Sequence, residues 1–308
     1  MILLKIGICF AGGGIKGVAH IGVLKALEEE NINFDYVAGT SSGSIIAALY
    51  SVGYKSDEIY EILKKYNKKI NYFEFKNILK LIYGILIKRK IIITGLNSGE
   101  KIEKLINKEV NRKNIDNINQ INKKLLIPSV SLIDGKIFIF SSIKNRKIYS
   151  DKIIYNNDIN IGKAIRASCS YPGVFEPMIF KNNYLIDGGI RENVPWRELK
   201  ENGADKVISV VFQNEIEEKQ KINIIDSISN SIEILCHELS NYELEGADYL
   251  LKIKTKEISL LDKSKIKYLY QVGYIEAKGK INEIKKLIKE WIINILNNII
   301  LFYIILSK

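Results

Sequence analysis

Apolar and polar positions along this chain change period several times, and each change marks an element. Lys5 to Phe10 is a short apolar run of strand length, a glycine-rich stretch follows, and Val18, Ile21, Leu24 and Leu27 then recur at helical spacing up to Glu28-Glu29-Glu30. The opening therefore reads strand, loop, helix. Asp35 to Ala38 predicts a second short strand, and Ile45 to Val52 is apolar on all sides, as a buried helix is. Leu125 to Ser131 and Lys136 to Phe140 read as two strands around Asp134-Gly135, a hairpin signal. Val207 to Phe212 and Tyr249 to Ile253 are further strands, each entered through a Gly-Ala-Asp turn, at Gly203 and Gly246. No Pro/Gly/Ser-rich linker or repeat divides the chain, so a single α/β domain with a mostly parallel sheet is expected, the hairpin adding an antiparallel element.

Two stretches depart from this alternation. Ser56 to Ile93 is helical and basic, with Lys64-Lys65, Lys68-Lys69 and Lys88-Arg89-Lys90 interleaved with Tyr66, Tyr72, Phe73, Phe75 and the apolar run Leu79 to Ile87. Either a lid or membrane-facing region, or an amphipathic helix pair packed on the sheet, fits that text equally. Trp291 to Leu306 is strongly apolar, but sixteen helical residues rise only about 24 Å against a hydrocarbon core of roughly 30 Å. With Asn294, Asn297 and Asn298 forming one polar stripe, residues 281–308 are expected to be an interfacial or packing helix rather than a spanning anchor.

Composition bounds the picture loosely. The chain has 308 residues, 47% of them hydrophobic, enough for a sizeable core. Its net charge of +11 favours an anionic partner, although a solvated lysine-rich surface accounts for it as well. Cys9, Cys169 and Cys236 are too scattered for a disulfide framework or a zinc site, which points to a reducing cytoplasm. Ile2 to Phe10 reads as the first strand, not a signal peptide, because Lys5 interrupts it and cleavage there would damage the glycine loop.

The chemistry lies in two glycine-rich turns and one acid. Gly12-Gly13-Gly14-Ile15-Lys16-Gly17 follows the first strand, and such a turn presents backbone N–H groups to an anion. Gly39-Thr40-Ser41-Ser42-Gly43 follows the second strand and precedes the apolar helix, the setting of a nucleophile elbow. Gly12, Gly14 and Gly17 also spell a dinucleotide fingerprint with Asp35 near the ribose position, but that reading leaves the serine turn unexplained. The two histidines, His20 and His237, have no compelling context as a base. A Ser41, Asp187, His237 triad is formally possible, yet that fold places several strands before its nucleophile and forty residues hold about two. Asp187, in Leu185-Ile186-Asp187-Gly188-Gly189, is the better partner, provided it reaches the serine directly in a partly dehydrated pocket.

Together these residues resemble the patatin-like phospholipases. The glycine loop with Lys16, the Ser41 elbow, Ala167-Ser168-Cys169-Ser170-Tyr171-Pro172-Gly173-Val174-Phe175, Asp187-Gly188-Gly189 and Asn193-Val194-Pro195 occur in the family's order, and the likeness runs from about Ile6 to Gly273-Tyr274. The resemblance implies a three-layer α/β/α fold over residues 1–280. It also implies a catalytic dyad of Ser41 and Asp187, and an oxyanion hole from Gly12, Gly13, Gly14 and Ile15. The motif is completed by Lys16, Gly17, Gly39, Gly43, Gly188 and Gly189. The implied activity is release of fatty acid from phospholipids or other acyl esters without calcium, metal or cofactor. The expected partners are such a substrate and a membrane surface, not nucleic acid, with the protein cytoplasmic and peripheral to the inner membrane face through 291–306. A catalytically silent lipid-binding protein on the same scaffold is the alternative.

Overall fold

The computed structural model describes residues 4–67, 69, 74–144, 150–214, 224–256, 258 and 262–306, with the backbone alone for 214, 224–226, 228–230 and 295–306. The chain runs β1 (Ile6–Phe10), α1 (Val18–Glu28), β2 (Tyr36–Gly39), α2 (Ser42–Ser51), α3 (Ser56–Asn67), α4 (Phe75–Leu86), β3 (Gly95–Asn97) and α5 (Glu100–Asn111). It continues β4 (Lys124–Ser131), β5 (Ile137–Ser141), β6 (Ile153–Asn156), α6 (Ile161–Ser168), β7 (Gly173–Phe175), β8 (Met178–Phe180) and β9 (Asn183–Asp187). Last come α7 (Trp196–Glu201), β10 (Lys206–Asn214), α8 (Ile224–Glu243), β11 (Tyr249–Thr255) and α9 (Ile266–Leu306).

Period-2 alternation splits the core into two layers. Ile8, Phe10, Val37, Leu125, Ile127, Phe138, Phe140, Ile208 and Val210 point to the larger core, shared with α1, α2, α5, α6 and α9. Their neighbours Cys9, Ala11, Tyr36, Ala38, Leu126, Ile137, Ile139, Val207 and Val211 point the other way, onto Trp196 and Leu199 of α7. The result is the expected three-layer α/β/α arrangement. The strand order is β11-β10-β1-β2-β4-β5-β6, parallel from β11 to β4. The Asp134-Gly135 turn joins β4 and β5 as an antiparallel hairpin.

One edge of β4 is shared by two strands, and this places the site. Its first half pairs in parallel with β2, up to Ala38 opposite Leu126. Its second half pairs antiparallel with β9, with Asp187 opposite Ser129. β9 therefore occupies the edge just beyond the point where β2 stops, and the turn after β2 meets the end of β9.

Ser56 to Ile93 forms α3 and α4 as its pattern predicts, but α4 does not lay its apolar side on the sheet: Phe75, Leu79, Ile82, Tyr83 and Leu86 are exposed while Asn77 and Gly84 are buried. Lys68, Tyr72 and Phe73 of that region lie outside the described residues, as does Ile2. The boundary expected at residue 280/281 falls inside α9, a continuous helix that begins against the core through Leu269, Ala277, Ile281 and Ile284. Among the described residues, no helix is long and apolar enough to cross a membrane. The side chains of Asn297 and Asn298 lie outside the described residues.

Candidate active site

Ser41 sits on a turn that only its glycine neighbours permit. A Cβ on Gly43 would lie 2.3 Å from the Phe10 carbonyl oxygen, and one on Gly39 would lie 2.4 Å from that of Gly43. The close approach bends the chain sharply between β2 and α2 and leaves Ser41 at φ 52° and ψ −124°, a conformation that costs a non-glycine residue about 1–3 kcal/mol. Hydrogen bonds hold it there. Thr40 N–H donates to Phe10 O, Thr40 Oγ1 donates to Glu192 O at 2.9 Å, and Ser41 N–H donates to Ser168 Oγ at 2.9 Å.

Because β9 ends beside this turn, Ser41 Oγ donates a 2.6 Å hydrogen bond to Asp187 Oδ2. The other carboxylate oxygen accepts from Gly189 N–H at 2.8 Å, and Asp187 N–H donates to Ser170 O at 3.0 Å. Asp187 is only 3% exposed, and burial pushes its carboxyl up to about 6 against the opposing pull of its bonds from Ser41 and Gly189. An acid so placed is a stronger base than one in water.

The glycine loop closes the other side. A Cβ on Gly12 would lie 3.2 Å from Ser41 Cβ, so the loop packs directly on the serine. Gly12 N–H donates to Asn193 Oδ1 at 2.9 Å and is thereby engaged. Among the described residues no hydrogen bond is found for the N–H groups of Gly13, Gly14 and Ile15, which begin the 3-10 turn Gly14–Gly17 as unsatisfied donors do. Gly12, Gly13, Gly14, Lys16, Ser41, Asp187 and Gly189 line one cavity of about 560 Å³, together with Phe212, Tyr171 and the α8 side chains Glu233, Cys236 and His237. Ile15 is not in that wall, and Gly17 lies behind it, against Ser42.

Neither histidine contacts the serine. His20 is fully buried between Phe10 and Phe212, ring centroids 5.0 and 4.7 Å away, with Nε2 2.9 Å from Ala11 O. Burial lowers its imidazole to about 4, so it braces the loop as a neutral ring. His237 lines the cavity from α8, but its side chain is 60% exposed and its Nδ1 faces along the helix, 3.4 Å from Asn241 Nδ2 and 3.6 Å from Glu238 Oε1.

Two supporting residues carried no role in the sequence reading. Ser168 fixes the Ser41 amide from the end of α6. Asn193 ties the glycine loop to α8, its Oδ1 accepting from Gly12 and its Nδ2 donating to Ser240 Oγ at 3.2 Å. Glu243 Oε2 in turn accepts from the N–H groups of Asn193 and Val194 at 3.1 and 3.3 Å. Both residues lie in segments that the sequence marked, but a side chain bonded to a backbone 127 or 181 residues away leaves no local signal.

The likeness to known proteins covers this same region. The profile described as patatin-like phospholipase matches residues 8–200. YqhO of Bacillus subtilis is 31% identical over 70% of this chain and 74% of its own length. The lysophospholipase NTE1 of Meyerozyma guilliermondii is 26% identical over 88% of this chain, which spans only 19% of that larger protein. Among solved structures, human GIVD cytosolic phospholipase A2 shares the fold at a TM-score of 0.50 and 9% identity, over 94% of this chain and 62% of its own.

Proposed function

Since the chain belongs to the patatin-like phospholipase family, we propose that it is a serine lipid acyl hydrolase, with Ser41 as nucleophile and Asp187 as general base. The observation that carries this reading is the 2.6 Å hydrogen bond from Ser41 Oγ to Asp187 Oδ2, made at the wall of a cavity beside unengaged backbone donors. As Ser41 Oγ attacks the acyl carbonyl, its proton passes to Asp187 Oδ2, and the carbonyl oxygen becomes an oxyanion facing the N–H groups of Gly13 and Gly14. Collapse expels the alcohol, which takes the proton from Asp187 and leaves an acyl ester on Ser41. A water that gives its proton to Asp187 then attacks this ester; fatty acid departs and Ser41 recovers its proton. A carboxyl raised to about 6 remains ionised at neutral pH yet is a better match to the hydroxyl it deprotonates. Phospholipids, lysophospholipids and other fatty-acyl esters are the substrate class, and the reaction calls for no calcium.

The test is fatty-acid release from phospholipid vesicles and hydrolysis of a short-chain nitrophenyl ester, without calcium. Ser41→Ala and Asp187→Asn are each expected to lose at least about a thousandfold in kcat/KM, while His237→Ala stays within a few-fold of the parent. A folded but inactive His237→Ala would restore the triad. A parent inactive on every ester would leave a silent lipid-binding protein.

A further inference from the structure

The helix α4 is inside out. Its protein-facing line contains Asn77, whose Nδ2 donates to Gly95 O at 3.3 Å and Glu176 Oε1 at 3.0 Å, and Gly84, packed under Lys90 and Ile92. Its outward face carries Phe75, Leu79, Ile82, Tyr83 and Leu86, spaced as one helical stripe, and the following turn adds Ile87 and Ile91. Phe75, Leu86 and Ile91 are 75%, 70% and 71% exposed. Large apolar side chains grouped in this way on a surface mark an interaction site.

The charges around the stripe say what the partner is. From Phe75 to Ile92 there are five basic residues, Lys76, Lys80, Lys88, Arg89 and Lys90, and no acidic one. Glu74, at the start of the helix, pairs with Lys76 at 3.2 Å, and the rest of the rim is basic; an apolar stripe flanked in this way is the composition of a helix that lies in the interface of an anionic bilayer. Two copies of this chain meeting through the same face would bring the basic rims together, which opposes self-association. The position also fits. α4 rests on Gly95 of β3, β3 pairs with β7, and β7 begins two residues after Tyr171, which lines the Ser41 cavity.

We propose that α4 and the turn after it form the surface by which the protein docks on anionic phospholipid bilayers, joined through β3 and β7 to the wall of the cavity that receives the acyl chain. The second half of this proposal rests on the lipid hydrolase reading; the docking itself does not.

The experiment uses the full chain carrying Ser41→Ala, so that vesicles stay intact, and measures co-sedimentation with phosphatidylcholine vesicles with and without phosphatidylserine. The parent is expected to pellet with the anionic vesicles and to be released by salt. Lys80→Glu, Lys88→Glu and Arg89→Glu are each expected to weaken partitioning at least about fivefold. Leu79→Asp with Leu86→Asp abolishes pelleting, whereas Ile275→Asp, at an isolated exposed position on α9, leaves it unchanged. As a second readout, the indole introduced by Leu79→Trp is quenched by brominated lipid. With Ser41 intact, the α4 variants keep the parent's rate on the soluble nitrophenyl ester. Pelleting of the α4 variants like the parent, or an unquenched indole, overturns the proposal. So does a loss of dimer in sedimentation velocity with no change in vesicle binding, which would make the stripe a contact between copies. Vesicle binding through α4 without any ester hydrolysis would leave the docking surface standing and remove the hydrolase reading; ester hydrolysis with α4-independent binding would do the reverse.

Discussion

At Asp187, burial and hydrogen bonding pull in opposite directions and burial wins, leaving the carboxyl at about 6, well above its ordinary 3.8. The rate consequence is an acid limb in kcat/KM centred near pH 6, which persists in His237→Ala; a limb that moves in that variant would assign it to the histidine. The stability consequence has the opposite sense. A carboxyl whose folded-state value is raised binds its proton more tightly in the folded chain, so stability falls as pH rises from 3.8 through about 6. Asp187→Asn is therefore expected to unfold later than the parent at neutral pH, by up to about 3 kcal/mol, with the gain gone below about pH 4. Denaturant titrations at the two pH values measure it. Asn193→Ala frees the Gly12 N–H and loosens the glycine loop, so kcat is expected to fall about tenfold with KM little changed, because Glu243 still holds the backbone at 193. Steady-state kinetics on the soluble ester separate the two parameters.

Elements were more legible than their partners. Each strand that β1, β2, β4, β5, β10 and β11 supply is announced by a run of apolar residues, and the glycine loop and serine turn lie between elements whose periods differ. The attachment of β9 to the upper half of β4 is not announced, since Leu185-Ile186 is a short apolar pair with no register of its own until β4 offers an edge. The direction of the α4 stripe escaped for a related reason: periodicity tells that a helix has two faces, whereas which face turns inward depends on Gly95 and Glu176, 18 and 99 residues from Asn77. The crossing of α1 and α9 is written in glycine instead. A Cβ on Gly273 would lie 1.9 Å from the Ala19 carbonyl oxygen and one on Gly22 2.1 Å from that of Tyr270, so the two backbones touch. Gly273→Ala must separate them and is expected to cost roughly 1–3 kcal/mol in chemical denaturation, although an alanine in a free helix would favour it.

On the scale of the whole molecule, charge and site are arranged so that two kinds of substrate report on different things. On the proposed docking surface and hydrolase reading, the surplus of +11 and the basic rim of α4 would act on a surface, while the Ser41 cavity would act on a single ester. Raising ionic strength is accordingly expected to slow hydrolysis of anionic vesicles several-fold, as screening weakens an attraction worth about 1 kcal/mol per surface charge. The soluble ester should be hydrolysed at an unchanged rate. Equal slowing of both would place the salt effect at the cavity instead.

The shared edge of β4 also sets a schedule. The hydroxyl and the carboxylate that meet there are 146 residues apart in the chain, and the carboxylate arrives only when β9 claims the edge that β2 leaves open. Such a long-range closure is among the slower steps of assembly. During synthesis, the emerging amino-terminal part exposes its serine well before the acid has been made. If Ser41 depends on Asp187, a half-made chain close to a membrane cannot digest it, and the first molecule able to do so is one in which β9 has already joined β4.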